Sequence, residues 1–316
     1  MREARQCNGR HNLRFASVDI NKRANKKLKV ENSLRRAVAR GELVVYYQPK
    51  VDINTGLMSG MEALVRWQHP EFGLISPDEF IPLAESSGLI GDITDCVMTI
   101  VCSQLNIWQA AGYPLTPVSV NLSPVEFLDD KLARKVIAMI RGAGLRPGSV
   151  ELEITENAFF DDINAAVTIT KEFNDAGISL ALDDFGTGYC SYNYLKQLPV
   201  DKLKIDRAFI TNFTENITDA AIVNSMITLG KNLGFQVIAE GVETEAQLQF
   251  LRDLQCDQVQ GYIISKPLPG DEVTKLLSDP SIIRRKIIVS MESAGRNIML
   301  TDMPVASELI GMLNNV

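Results

Sequence analysis

Ile178-Ser179-Leu180-Ala181-Leu182-Asp183-Asp184-Phe185-Gly186-Thr187-Gly188-Tyr189 is an apolar run that ends on two adjacent carboxylates and a glycine-rich loop. Its first part reads as a β-strand and its last part as the turn that leaves it. Seven other β-rich runs accompany it: Leu43–Pro49, Gly60–Trp67, Pro117–Asn121, Val150–Ile154, Val200–Asp206, Phe235–Glu240 and Gln258–Ile264. Between them lie segments of helical periodicity at Pro77–Ser87, Asp92–Ala111, Pro124–Arg141, Asn157–Ala176, Ala208–Leu233 and Thr244–Leu254, with a short helix near Asp271–Leu277. Eight strands alternating with helices over about 240 residues predict an α/β fold, a (β/α)8 barrel, with a doubly wound sheet as the alternative.

Charge divides the chain. Residues 1–41 carry 12 Lys and Arg against 3 Asp and Glu, a balance of +9, and the remainder carries 20 against 36, a balance of −16. The acidic body repels nucleic acid, so neither a DNA nor an RNA duplex is an expected partner. A phosphate-bearing ligand would need positive charge from elsewhere. The five cysteines form no C-x-x-C pair and no even framework, which predicts a reducing, cytoplasmic setting. The first residues lack the apolar stretch of a signal peptide, and no run approaches the roughly 18 apolar residues of a membrane span. With only two histidines, His-rich metal sites are excluded, and a metal would be held by oxygen.

Residues 21–41 predict a charged connector helix with Leu28, Leu34 and Val38 at near-helical spacing and a stop at Gly41. Residues 279–316 form a tail of unknown role, in which Pro304–Leu313 has the pattern of a short amphipathic helix.

Polar residues recur at or near the ends of the β-rich runs: Glu62, Asn121, Glu153, Asp183 with Asp184, Lys204, Glu240 and Gln260. In a (β/α)8 barrel the strand ends converge on one mouth, which would make these positions neighbours. A single Asp after a strand reads equally well as a helix cap. Two adjacent carboxylates repel each other, and a bridging cation relieves that repulsion. The period of two places Glu151 and Glu153 on one strand face, and Lys202 and Lys204 on another, without saying which member faces a site. Glu156 reads as either a site residue or a first-turn acid favoured by the helix dipole. Trp67 and Trp108 read as packing residues, and His69-Pro70 as a loop feature.

Tyr47-Gln48-Pro49, Glu62-Ala63-Leu64-Val65-Arg66-Trp67, Asn121-Leu122-Ser123-Pro124, Glu153-Ile154-Thr155-Glu156, Asp183-Asp184-Phe185-Gly186-Thr187-Gly188-Tyr189, Lys202-Leu203-Lys204-Ile205-Asp206, Ala239-Glu240-Gly241-Val242-Glu243-Thr244 and Gln260-Gly261-Tyr262 together resemble the EAL-domain cyclic di-GMP phosphodiesterases. The resemblance spans about residues 42–278. It implies a TIM-like barrel whose first strand is antiparallel, and hydrolysis of cyclic di-GMP to linear 5'-pGpG with two Mg2+ or Mn2+ ions activating a water. It implies Glu62, Asn121, Glu153 and Asp183 as ligands of one metal, and Asp183, Asp184 and Glu240 as ligands of the other. Catalytic roles fall to Lys204, Glu240 and Glu62. Gln48, Leu64, Arg66 and Gln260 would contact substrate, with Glu156 and Glu243 in support. Ca2+ should inhibit, because its larger, looser coordination misplaces the oxygens. A homodimer is implied as well. Cys190 stands where the family usually has serine.

Ala4-Arg5-Gln6-Cys7-Asn8-Gly9-Arg10-His11-Asn12 with Phe15-Ala16 resembles the closing segment of a GGDEF domain. On that reading residues 1–20 are a remnant of an upstream domain, 21–41 a linker, and 42–278 the barrel. The full-length protein would then carry upstream GGDEF or sensor segments, through which it could be membrane-anchored. The alternative is a catalytically silent cyclic di-GMP receptor that passes a signal through the linker.

Overall fold

The computed structural model describes residues 29–159, 163–187 and 195–287. These divide into two compact units, one of residues 29–44 and 66–93, the other of residues 45–65 and those from 94 onward.

Ten strands run β1 (Leu43–Asp52), β2 (Met58–His69), β3 (Gly73–Ile75), β4 (Val118–Leu122), β5 (Val150–Thr155), β6 (Ser179–Phe185), β7 (Lys202–Ile205), β8 (Gln236–Ala239), β9 (Gln258–Gln260) and β10 (Leu268–Pro269). In the larger unit β2, β4, β5, β6, β7, β8 and β9 pair in that order, all parallel. β1 joins β9 antiparallel and also pairs with β2, which closes an eight-stranded barrel. The first strand is therefore antiparallel to the other seven. The doubly wound alternative fails because its sheet would stay open.

The outer faces of the strands are apolar: Val118, Val120, Leu152, Ile154, Leu180, Leu182, Leu203 and Ile205 are all buried. The opposite face of the same strands carries polar and charged side chains, and the period of two is what separates the sets. Barrel interiors of this type are usually filled by branched aliphatic residues. Here Lys50, Ser119, Glu151, Glu153 and Lys204 are buried instead.

Two expected helices are interrupted. Pro124–Arg141 is a 3-10 turn at Pro124–Leu128 followed by a helix at Leu132–Gly142. A capping box of Ser123 and Glu126 starts the turn, and the Asp129 carboxylate, accepting from Lys131 N at 2.9 Å, ends it. Ala208–Leu233 is a single turn at Arg207–Ile210 and a helix at Ile217–Asn232, restarted by Asn216 as N-cap. The expected helix at Asn157–Ala176 is observed as Ile163–Asp175 after a 3-10 turn at Glu156–Phe159. The last barrel strand stops at Gln260 rather than reaching Ile264.

In the smaller unit, residues 29–37 form a helix that buries Val30, Leu34 and Ala37, one residue off the expected Val38. β2 and β3 form a hairpin, and the helix Pro77–Ser87 follows. Trp67 is a packing residue here: it is buried, its indole N donates to Glu42 at 2.9 Å, and Phe80 meets it edge-on. His69 Nδ1 accepts from the backbone N–H of Glu71 and Phe72, as a turn residue does. Trp108, in the larger unit, is likewise buried and donates to Thr274. No helix among the described residues is long and apolar enough to cross a membrane. The GGDEF-like segment, residues 21–28, Cys190 and Pro304–Leu313 lie outside the described residues.

Candidate active site

Parallel pairing sets the heights of the functional side chains. Asn121 is level with Glu153, Glu153 with Ala181, Ala181 with Lys202, and Lys204 with Ile238. Asp183, Lys204 and Glu240 therefore each stand one pleat further along their strands. Such a stagger is what strand tilt in a closed barrel requires, and it collects the strand ends at one mouth.

Lys204 sits at the centre of the collected side chains with 1% of its side chain exposed. Its Nζ lies 2.5 Å from Glu153 Oε2, 2.7 Å from Glu240 Oε1, 3.0 Å from Asp183 Oδ2 and 3.8 Å from Glu62 Oε2. Burial excludes a snorkelling surface lysine. Glu62 is held by two amides, with Asn121 Nδ2 donating to Oε1 at 2.7 Å and Gln260 Nε2 to Oε2 at 2.6 Å. Gln260 also donates to Gln48, whose own amide donates to the Ser265 carbonyl.

The choice between Glu151 and Glu153 is resolved by depth. Glu151 pairs with Lys50 and Lys202, while Glu153 reaches Lys204 at the mouth. Lys50 is the residue that sequence reasoning missed: it is fully buried and bonds Ser119, Glu151 and Glu153 at once. Its position two residues after Gln48, on the same strand face, was the available signal.

Asp183 and Asp184 are adjacent, so a regular strand would point them to opposite faces. Instead β6 bulges: Leu182 pairs with Leu203 but Phe185 with Ile205, and Asp184 adopts a φ of 55°. Behind the bulge, Glu156 Oε1 accepts from Gly186 N at 2.8 Å, tying the turn to the end of β5. Glu156 is buried, which disposes of a purely solvent-facing first-turn acid.

The electrostatics follow from this crowding. Burial, then Asp183 and Asp206 beside it, push Asp184 up to about 6. Burial and the neighbouring carboxylates also raise Glu62 and Glu240 above the usual range. Glu153 goes the other way: burial opposes its charge, but Lys204 and Lys50 outweigh burial and hold it at about 2. Both lysines are raised by the carboxylates around them in spite of burial.

Four carboxylates, Glu62, Glu153, Asp183 and Glu240, thus lie within 4 Å of the single Lys204 ammonium, an excess of negative charge. Glu62, Glu153 and Asp183 each offer an oxygen within 4.8 Å of the other two. A buried, hard, all-oxygen donor set with uncompensated charge fits a divalent cation such as Mg2+ or Mn2+. A cleft beside the cluster is lined by Gln48, Glu62, Leu64, Glu240, Gln260 and also Arg207. Glu243, exposed, pairs with Arg207 at 2.9 Å on this cleft. Arg207 was not anticipated. Arg66, half-buried, belongs to the smaller unit.

The chain is therefore a mixed (β/α)8 barrel with a lysine-centred, carboxylate-rich mouth. It belongs to the EAL domain family, whose model matches residues 31–267. It is 40% identical over 265 residues to the bifunctional diguanylate cyclase/cyclic di-GMP phosphodiesterase MucR of Pseudomonas aeruginosa, covering 84% of this chain and 39% of that protein. It is 39% identical over 269 residues to the cyclic di-GMP phosphodiesterase NbdA of the same organism, covering 85% and 34%. The chain thus spans between a third and two fifths of the length of these relatives. Among solved structures, the PaMucR phosphodiesterase in complex with c-di-GMP superposes with a TM-score of 0.75 at 41% identity, covering 78% of this chain and 99% of that one. The EAL enzyme Bd1971 in its cAMP and cyclic-di-GMP bound form gives 0.73 at 29%, covering 84% and 73%.

Proposed function

We propose that the chain is a metal-dependent phosphodiesterase that hydrolyses cyclic di-GMP to linear 5'-pGpG. The observation that carries this reading is the convergence of Glu62, Glu153, Asp183 and Glu240 on Lys204 at the barrel mouth. Similarity to proteins named for this activity supports it.

Glu62, Asn121, Glu153 and Asp183 would hold one Mg2+ or Mn2+, and Asp183, Asp184 and Glu240 a second. Bound there, the two cations supply the Lewis acidity that activates a water and steadies the charge of an in-line displacement at phosphorus. Lys204, fully buried among the carboxylates, orients the attacking water and the scissile phosphate and keeps Glu153 ionised. Asn121 and Gln260 fix both oxygens of Glu62, which leaves that carboxylate one orientation. Gln48, Leu64 and Gln260 line the cleft and would contact the dinucleotide. Glu156 steadies the turn after the paired aspartates through Gly186 N, and Glu243 holds Arg207 at the cleft. Ca2+ inhibits by enforcing a larger coordination sphere. The active protein is a cytoplasmic homodimer.

Purified chain incubated with cyclic di-GMP and Mn2+ tests the reading by product chromatography. Formation of 5'-pGpG that chelation abolishes is expected. Tight binding of intact cyclic di-GMP without product would instead make the chain a receptor.

A further inference from the structure

The charged side chains beneath the mouth have no place in the chemistry described so far. Lys50 Nζ donates to Ser119 Oγ, to Glu151 Oε1 at 2.9 Å and to Glu153 Oε1. Glu151 accepts in addition from Ser119 at 2.6 Å and pairs with Lys202 through Oε2. Glu153 then presents Oε2 to Lys204. One carboxylate is thereby held at both oxygens, by lysines from two different strands, with none of its side chain exposed. Packing alone needs none of this, because buried ion networks are often no more stabilising than apolar residues of the same volume.

We propose that Lys50 is a positioning residue: gripped by Glu151 and Ser119, its ammonium fixes Glu153 Oε1 and so aims Oε2 at Lys204 and the acidic cluster. The inference rests on the metal-dependent reading of that cluster.

Lys50→Met/Glu151→Gln removes one charge of each sign, so the net charge beneath the site is kept while the grip on Glu153 is lost. Mn2+ affinity without substrate, read by titration calorimetry, is expected to weaken at least tenfold. A kcat at least tenfold lower, with KM for cyclic di-GMP within twofold, is expected alongside. Lys202→Met disturbs the same network without touching Glu153, so it should lower the melting temperature yet leave Mn2+ affinity within twofold. Ser119→Ala keeps every charge and should weaken Mn2+ binding about threefold; it decides the matter alone if the double variant does not fold. Wild-type Mn2+ affinity in the double variant or in Ser119→Ala overturns the proposal, as does an equal loss in Lys202→Met. Wild-type chain that binds Mn2+ but forms no product overturns the phosphodiesterase reading, while the Mn2+ affinities still decide the role of Lys50.

Discussion

At the residue scale, the site depends on carboxylates kept close together against their mutual repulsion, and Lys204 lies within 4 Å of four of them. Replacing Lys204 by Met or Glu62 by Gln should lower turnover by about 10³-fold, the scale on which removal of one preorganised electrostatic group acts. Undiminished kcat in either variant would refute the role given to that residue. A pH effect follows from the raised carboxyls. Asp184 is pushed up to about 6, and Glu62 and Glu240 are also raised above their ordinary values, so protons compete for this cluster in weak acid. A cation must displace those protons, so Mn2+ affinity should rise with pH through about 6 and fall below it. Titration at pH 6 in buffers of different ionisation enthalpy should show net proton release; an enthalpy independent of buffer would contradict the assignment.

At the element scale, most of the barrel is written in local pattern: the apolar runs place the eight strands to within a few residues, and the period of two selects the inward face. What the pattern cannot carry is the identity of cross-strand neighbours. Glu151 and Glu153 are equivalent on their own strand and share Lys50; they differ because Lys202 lies opposite one and Lys204 opposite the other. The bulge of β6 at Asp183 and Asp184 likewise shows only in its pairing with β7. The two interrupted helices hinge on side-chain caps, Asp129 and Asn216, too short-ranged to disturb an apolar periodicity. The loop after β9 gives a further prediction. A Cβ on Gly261 would lie 2.1 Å from the Val242 carbonyl oxygen and 2.3 Å from its nitrogen, and backbone cannot step aside as a side chain can. Val242 is itself bonded to Gln260 O and to Ile263 N. Gly261→Ala should therefore cost about 3 kcal/mol. In a domain of this size that lowers the melting temperature by roughly 6–12 °C. It should also displace Gln260 from Glu62 and reduce activity. A melting curve and specific activity equal to wild type would contradict the packing described.

At the scale of the whole molecule, a −16 body disfavours the proposed phosphodiester ligand, and bound cations would offset that repulsion. The gathered carboxylates turn that acidity from an obstacle into a condition on binding. Mn2+ at about a hundred times its dissociation constant should stabilise the fold by about 2.7 kcal/mol. Thermal melting with Mn2+ and with chelator measures this, and identical midpoints would argue against a metal site in the barrel. Light scattering of the metal-loaded protein should give the mass of two chains, and a monomer at every concentration would contradict the homodimer. The most direct measurement is chromatography of the products formed from cyclic di-GMP by the purified chain in Mn2+. Complete conversion to 5'-pGpG, absent with chelator and absent in Lys204→Met, is predicted. Intact cyclic di-GMP after prolonged incubation with the Mn2+-loaded wild-type chain would contradict it.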